Sequence, residues 1–281
     1  MRKEEGQMKK AYVQAGQQAR KVVSKKLRKR YSVPLWLLLV LIGIPVFCDR
    51  FPDPGSYYDR QTVVKPIVQA SGHTPLGAAA TEPGPIAGID VSEWQGSIDW
   101  KAVKESGVKF VIVKATESST QVDPYFVTNW EGAKAAGLLV SAYHVVQPHR
   151  SAMTQAKHFL DTIGDRQPDF PLALDVELRG VGNIGAIVEE IALMVEASDG
   201  RKPLMYTAQS FWGANVGWAP GWSAYALWVA DYDAVVPAIP TGWDSYTIWQ
   251  HSSTGSVLGI QGNVDLNVFV GGLQDLSNLG R

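Results

Sequence analysis

Two carboxylates stand two residues apart at the end of an apolar run, Pro171-Leu172-Ala173-Leu174-Asp175-Val176-Glu177. In a β-strand successive side chains alternate between faces, so Asp175 and Glu177 point to one side with Cα atoms about 6.5 to 7 Å apart. Neighbouring acids can hold different protonation states at neutral pH, one keeping a proton to donate while the other stays ionised. That is the requirement of glycosidic bond cleavage. The plainer reading of Asp-x-Glu at a strand end is a solvated edge or a salt-bridge partner, so the pair has to be weighed with the elements that would carry it.

Short apolar runs alternate with helical patterns from residue 87 onward. Strands are expected at Ala87 to Val91, Lys109 to Lys114, Leu138 to His144, Pro171 to Glu177, Pro203 to Thr207, Ala224 to Ala230, Tyr246 to Gln250 and Gly262 to Asp265. Between them, Phe126, Trp130 and Ala133 share a helical face before a Gly137 stop. Ser151 can cap a helix carrying Ala156, Phe159 and Ile163, and Ile187, Ile191 and Met194 line another before Gly200. Eight strands with β-α alternation predict an α/β chain built as a single (β/α) barrel, and the short last connections predict an incomplete outer ring of helices.

In such a barrel, function collects at the carboxyl ends of the strands. The residues expected there are Asp90, Lys114 with Glu117, Tyr143 with His144, Asp175 with Glu177, Tyr206, Trp228 with Asp231, Gln250 and Asp265. Several acids converging on an apolar core are costly to bury and hard to explain by stability. Acids beside flat aromatic rings suit a sugar, whose apolar face stacks while polar groups fix its hydroxyls. His144, His149 and His251 show neither His-x-His nor His-Glu-x-x-His spacing, so no metal or other cofactor is expected. Lys114 reads as an ion-pair partner within the barrel.

The chain of 281 residues is 46% hydrophobic, enough for one sizeable domain with appendages. Its net charge of -1 conceals an asymmetry: residues 1 to 31 hold 11 Lys/Arg against Glu4 and Glu5, and the remainder 15 Lys/Arg against 25 Asp/Glu. An acidic body argues against nucleic acid as a partner. The single cysteine, Cys48, excludes an internal disulfide and a multi-cysteine zinc site. Residues 33 to 48 carry no charge. The basic block before them is too long for a secretory signal, and Pro45-Val46-Phe47 does not fit a lipoprotein cleavage site before Cys48. The expected organisation is a basic cytoplasmic tail (1–31), an uncleaved transmembrane anchor (32–49), a Pro/Gly-rich flexible linker (50–85) and a barrel (86–281) held on the far side of a cell membrane.

Gly88-Ile-Asp-Val-Ser92, Trp94-Gln95-Gly96, Ile98-Asp99-Trp100 and Phe110-Val-Ile-Val-Lys114-Ala-Thr-Glu117 resemble the opening of glycoside hydrolase family 25, the Chalaropsis-type lysozymes. Gly137 to His144 with Pro148, Leu174 to Glu177, Leu227 to Ala230, Ile248 to Gln250 and Val264 to Asn267 continue the pattern in order, so the resemblance spans residues 86 to 270. It implies a flattened β/α barrel that hydrolyses the β-1,4 bond between N-acetylmuramic acid and N-acetylglucosamine in peptidoglycan glycan strands. Carried to matching positions, it implies Glu177 as general acid, Asp175 as a group that orients the substrate acetamide or stabilises the developing cation, and Asp90 and Asp265 as further site carboxylates. Tyr143, Trp228, Tyr206 and Gln250 are the candidate substrate contacts. Ser118 stands where glycine commonly follows Lys-Ala-Thr-Glu, and Val145 where phenylalanine commonly follows Tyr-His. Two other classes are open to the sequence: an inactive peptidoglycan-binding barrel tethered to the membrane, and a metal-dependent hydrolase on the same fold.

Overall fold

The computed structural model describes residues 84–232 and 234–281. The basic tail, the expected transmembrane segment and nearly all of the linker lie outside the described residues. Among the described residues no helix is long and apolar enough to cross a membrane.

The strands are β1 (Ile86–Val91), β2 (Phe110–Glu117), β3 (Gln121–Val122), β4 (Leu139–Val145), β5 (Ala173–Asp175), β6 (Leu204–Ala208), β7 (Leu227–Ala230), β8 (Ile248–Gly255) and β9 (Val264–Phe269). The helices are α1 (Trp100–Glu105), α2 (Phe126–Ala135), α3 (Ala152–Ile163), α4 (Ile184–Asp199), α5 (Gln209–Asn215) and α6 (Leu273–Ser277). The sheet runs β1-β9-β8-β7-β6-β5-β4-β2-β3, and β1 also pairs with β2, which closes a ring of eight strands and leaves β3 as a short hairpin partner outside it. The eight expected strands are the eight of the ring. The helix ring is incomplete as expected, since among the described residues no α-helix follows β7 or β8 before the next strand.

Two details depart from a simple alternating barrel. β9 runs antiparallel to both β8 and β1, because the connection 256–263 is too short for the crossover of about a dozen residues that a parallel strand needs. β5 is also shorter than the expected Pro171 to Glu177 and ends at Asp175. Its backbone stays extended for one residue more, with the Val176 amide donating to the Tyr206 carbonyl at 2.9 Å. The side-chain alternation therefore survives to Glu177: Val176 is buried, while Asp175 and Glu177 both face the cleft.

Strand alternation divides the core in two. Val111 and Val113 of β2, Val140 and Ala142 of β4, and Leu172 and Leu174 pack outward against Phe126, Phe159 and Ile191 of the helices. Ile86, Phe110, Ile112, Ala173, Leu204, Trp228, Ile248 and Phe269 fill the barrel interior. Phe110 meets Phe170 edge-on at 5.8 Å. Its ring also lies where a Cβ on Gly88 would come within 2.3 Å, so only glycine lets β1 approach there. Two residues beyond Gly88, Ile112 and Ala173 come Asp90 on β1, Lys114 on β2 and Asp175 on β5. The same period that buries the apolar layer thus delivers the polar groups to the barrel mouth.

The helices begin where the local chemistry permits. Ser151 Oγ accepts from the Thr154 amide at the start of α3, Asn183 Oδ1 from Ala186 at α4, and Gly200, at φ 77°, ends α4. Ser118, the turn residue after β2, has φ 59° and is the only non-glycine residue in the left-handed region among the described residues. That accounts for the departure seen in the sequence: the turn needs a conformation glycine adopts freely and serine does not. Ser118→Gly is expected to stabilise the barrel by up to about 1 kcal/mol, read as a higher urea midpoint at unchanged slope.

Candidate active site

Asp90 and Asp265 are directly opposed residues of the antiparallel β1–β9 pair, a position in which Cβ atoms lie about 4.5 to 5.5 Å apart. Asp175 enters from β5 and Glu177 from just beyond it. All four line one cleft of about 260 Å³, together with Tyr143, Lys114, Glu117, Ser92, Trp94, Gln95 and Val145. The five expected residues Asp90, Tyr143, Asp175, Glu177 and Asp265 are therefore brought together.

The other three expected contacts are not on that surface. Trp228, Tyr206 and Gln250 are buried and do not line the cleft. In the structure they stand behind it as a supporting wall. Trp228 is wedged in the barrel interior between Tyr206 and Tyr143, with ring centroids at 4.6 and 6.2 Å. Its Nε1 donates to Asn267 Oδ1 at 2.7 Å, Asn267 Nδ2 donates to Asp90 Oδ2 at 2.7 Å, and Gln250 Nε2 donates to the same oxygen at 2.8 Å. Tyr206 and Tyr232 each donate to Gln250 Oε1 at 2.8 Å. The network has one direction, from the ring donors through the two amides to Asp90, and it orients both amides without ambiguity.

Electrostatics separate the acids. Burial, reinforced by the facing Asp265 charge, holds Asp90 well above the ordinary aspartate range despite the two amide donors. Burial raises Asp265 as well, with the hydrogen bond to Asp90 pulling the other way, so the facing pair holds a proton beyond the ordinary aspartate range. Burial and then the Glu177 and Asp90 charges raise Asp175 strongly, and its Oδ1 has no hydrogen-bond partner. Glu177 is open to solvent, yet the cleft walls crowd its carboxyl and, with the Asp265 charge, raise its pKa against the pull of Lys114. Lys114 is tied to Glu117 at 3.0 Å, and Gln147 donates to the other Glu117 oxygen at 3.0 Å. Lys114 is thus the ion-pair partner expected. His144 is fully buried, lies 2.7 Å from Thr116 Oγ1, stacks on Phe159 and has its pKa pushed down to about 4 by burial. Among the described residues no three His, Cys, Asp or Glu are grouped so as to hold a metal ion.

A raised acid in the folded state makes stability fall as pH rises from the unfolded pKa through the folded one, because the native state binds the extra proton. Asp175→Asn is therefore expected to raise the melting temperature at neutral pH, with the gain shrinking to nothing as pH falls into the ordinary carboxylate range. Thermal unfolding of both chains across that range checks it. A gain that persists unchanged in acid would mean that something other than ionisation is responsible.

Residues not anticipated individually are Trp94, Ser92 and Gln95, which carry part of the cleft rim, and Asn267 behind Asp90. The signal for the first three was present in Ser92-Glu93-Trp94-Gln95-Gly96, immediately after a strand that ends in an acid and its neighbour Val91.

A closed eight-stranded barrel whose mouth collects four carboxylates beside aromatic side chains is the architecture of a glycoside hydrolase. The chain belongs to glycosyl hydrolases family 25, whose model matches residues 89–260. It is similar to the uncharacterized protein YegX of Escherichia coli (strain K12), 38% identical over 89% of this chain and 96% of that protein. It is also similar to lysozyme M1 of Streptomyces globisporus, 35% identical over 66% of this chain and 68% of the lysozyme. Among solved structures, a bacterial lysozyme from Streptomyces coelicolor superposes with a TM-score of 0.66 at 33% identity, covering 70% of this chain and 97% of the lysozyme.

Proposed function

We propose that the chain is a lysozyme-type muramidase that hydrolyses the β-1,4 bond between N-acetylmuramic acid and N-acetylglucosamine in peptidoglycan. Glu177 acts as general acid, and Asp175 assists by orienting the substrate acetamide or stabilising the cation that develops beside it. Asp90 and Asp265 form a proton-sharing pair at the opposite wall, and Tyr143 completes the sugar-facing surface. The observation that carries this reading is the convergence of Asp175 and Glu177 with Asp90 and Asp265 in one cleft. Burial and neighbouring acid charges raise both Asp175 and Glu177, so the pair retains a proton to donate beyond the ordinary carboxylate range. Mass spectrometry of sugars released from purified peptidoglycan tests it. Muramic acid at the reducing end is expected, anhydromuramic ends would make the enzyme a lytic transglycosylase, and binding without release would make it a glycan-binding barrel.

The same proposal places the barrel outside a cell membrane, carried on a single-pass anchor at 32–49 with residues 1–31 in the cytoplasm and 50–85 as tether. The uncharged run 33–48 behind a block of 11 cations supports it. The similarity to YegX, which takes in 89% of the chain, also extends beyond the barrel. Cell fractionation should recover the chain with membranes, and protease added to spheroplasts should degrade the barrel. A soluble product beginning after Cys48 refutes the anchor, and protection of the barrel refutes the orientation.

A further inference from the structure

Trp94 is 83% exposed while lining the cleft, and the segment that carries it is tied down from several sides. It lies in a single 3-10 turn, Glu93–Gln95. Ser92 Oγ accepts from the Trp94 amide at 3.3 Å, and Gln95 Oε1 accepts from the Ser92 amide at 2.9 Å. Gln95 Nε2 reaches the Asn263 carbonyl in the β8–β9 connection at 3.1 Å.

The remaining tie comes from outside the cleft. Asp123, 5% exposed, sits between β3 and α2. Its Oδ2 accepts from the Glu93 amide at 2.8 Å and its Oδ1 from the Tyr125 amide at 2.9 Å. A carboxylate is expensive to bury, and here both oxygens are spent on main-chain donors of two separate segments. Asp123 is 30 residues from Glu93 in sequence, and the bond it makes there holds the turn that presents the indole. A flat ring fixed before the ligand arrives avoids the ordering cost of a mobile one. Stacking on the apolar face of a pyranose is the interaction such a ring offers beside a cleft of acids.

We propose that Asp123 is a positioning residue for glycan binding: by joining the Glu93 and Tyr125 amides it sets the Trp94 indole as a sugar-stacking platform on one side of the cleft. This rests on the glycan-cleaving function proposed above. Two readouts on the full chain separate the two ideas. One is kcat and KM on soluble peptidoglycan glycan fragments, and the other is calorimetric binding of the same fragments by the Glu177→Gln chain. Trp94→Ala and Asp123→Asn are each expected to weaken binding and raise KM about tenfold with kcat within about twofold, and the double variant to be no worse than either alone. Gln95→Ala, which cuts two other ties without touching the buried charge, is expected to raise KM in the same sense and keeps the test open if Asp123→Asn fails to fold. Wild-type affinity in Trp94→Ala, wild-type affinity in a folded Asp123→Asn chain, or losses that multiply in the double variant each overturn the proposal. Binding that responds as expected in a chain that releases no sugar overturns the catalytic reading and leaves the platform standing.

Discussion

Glu177→Gln is expected to abolish clearance of cell-wall suspensions while leaving the far-UV circular dichroism of the chain unchanged. Loss of a general acid alone costs about 10²- to 10⁴-fold in rate. Folding should be untouched, because Glu177 lies beyond β5 on an open side chain, and removing its charge also relieves repulsion from Asp265 and Asp175. The same environment predicts the pH dependence. Crowding by the cleft walls and the Asp265 charge raise the Glu177 pKa, so the acid stays protonated further toward neutral pH and the rate declines as pH rises through that pKa. Clearance by the variant at the wild-type rate would remove Glu177 from this role.

The second large effect concerns the substrate. Asp175 and Glu177 face the cleft from one stretch of chain and are too close in sequence to bracket a sugar ring from opposite faces. Asp90, across from them, is committed: Oδ2 accepts from two amides, and burial raises its pKa toward the uncharged carboxyl, a weak nucleophile. The arrangement suits substrate assistance, in which the acetamido group attacks the anomeric carbon and Asp175 orients its N–H and stabilises the oxazolinium-like intermediate. A glycan whose muramic acid is de-N-acetylated should then bind but turn over about 10²-fold more slowly or worse, since a tethered nucleophile has an effective molarity of about 10⁵ M or more. A thiazoline analogue should inhibit. Unchanged turnover of the deacetylated glycan eliminates substrate assistance and moves the search for a nucleophile or base to Asp265 and Asp90.

Much of this molecule was determined by the sequence alone. Apolar runs of period two, separated by helical faces with their own caps, specify eight strands and the order in which their ends reach the rim. The spacing Asp175-x-Glu177 fixes a shared direction even though β5 proper stops at Asp175, because an extended backbone alternates with or without a full ladder. Serine at position 118 could be marked as unusual, but its cost became visible only with its φ of 59°. Closure of the barrel decided the rest. The pairing of Asp90 with Asp265 joins residues 175 positions apart and depends on β9 returning antiparallel, a consequence of connection length rather than of any local pattern. Closure also turned Trp228, Tyr206 and Gln250 from rim residues into a buried wall. A strand-end side chain that points inward meets its neighbours across the barrel, and only their sizes and donors decide which groups reach the surface. By the same logic Trp94, on a turn with no strand above it, was left facing the cleft. The strand period determined which residues arrive at the mouth, and packing around the closed ring determined which of them a substrate can touch.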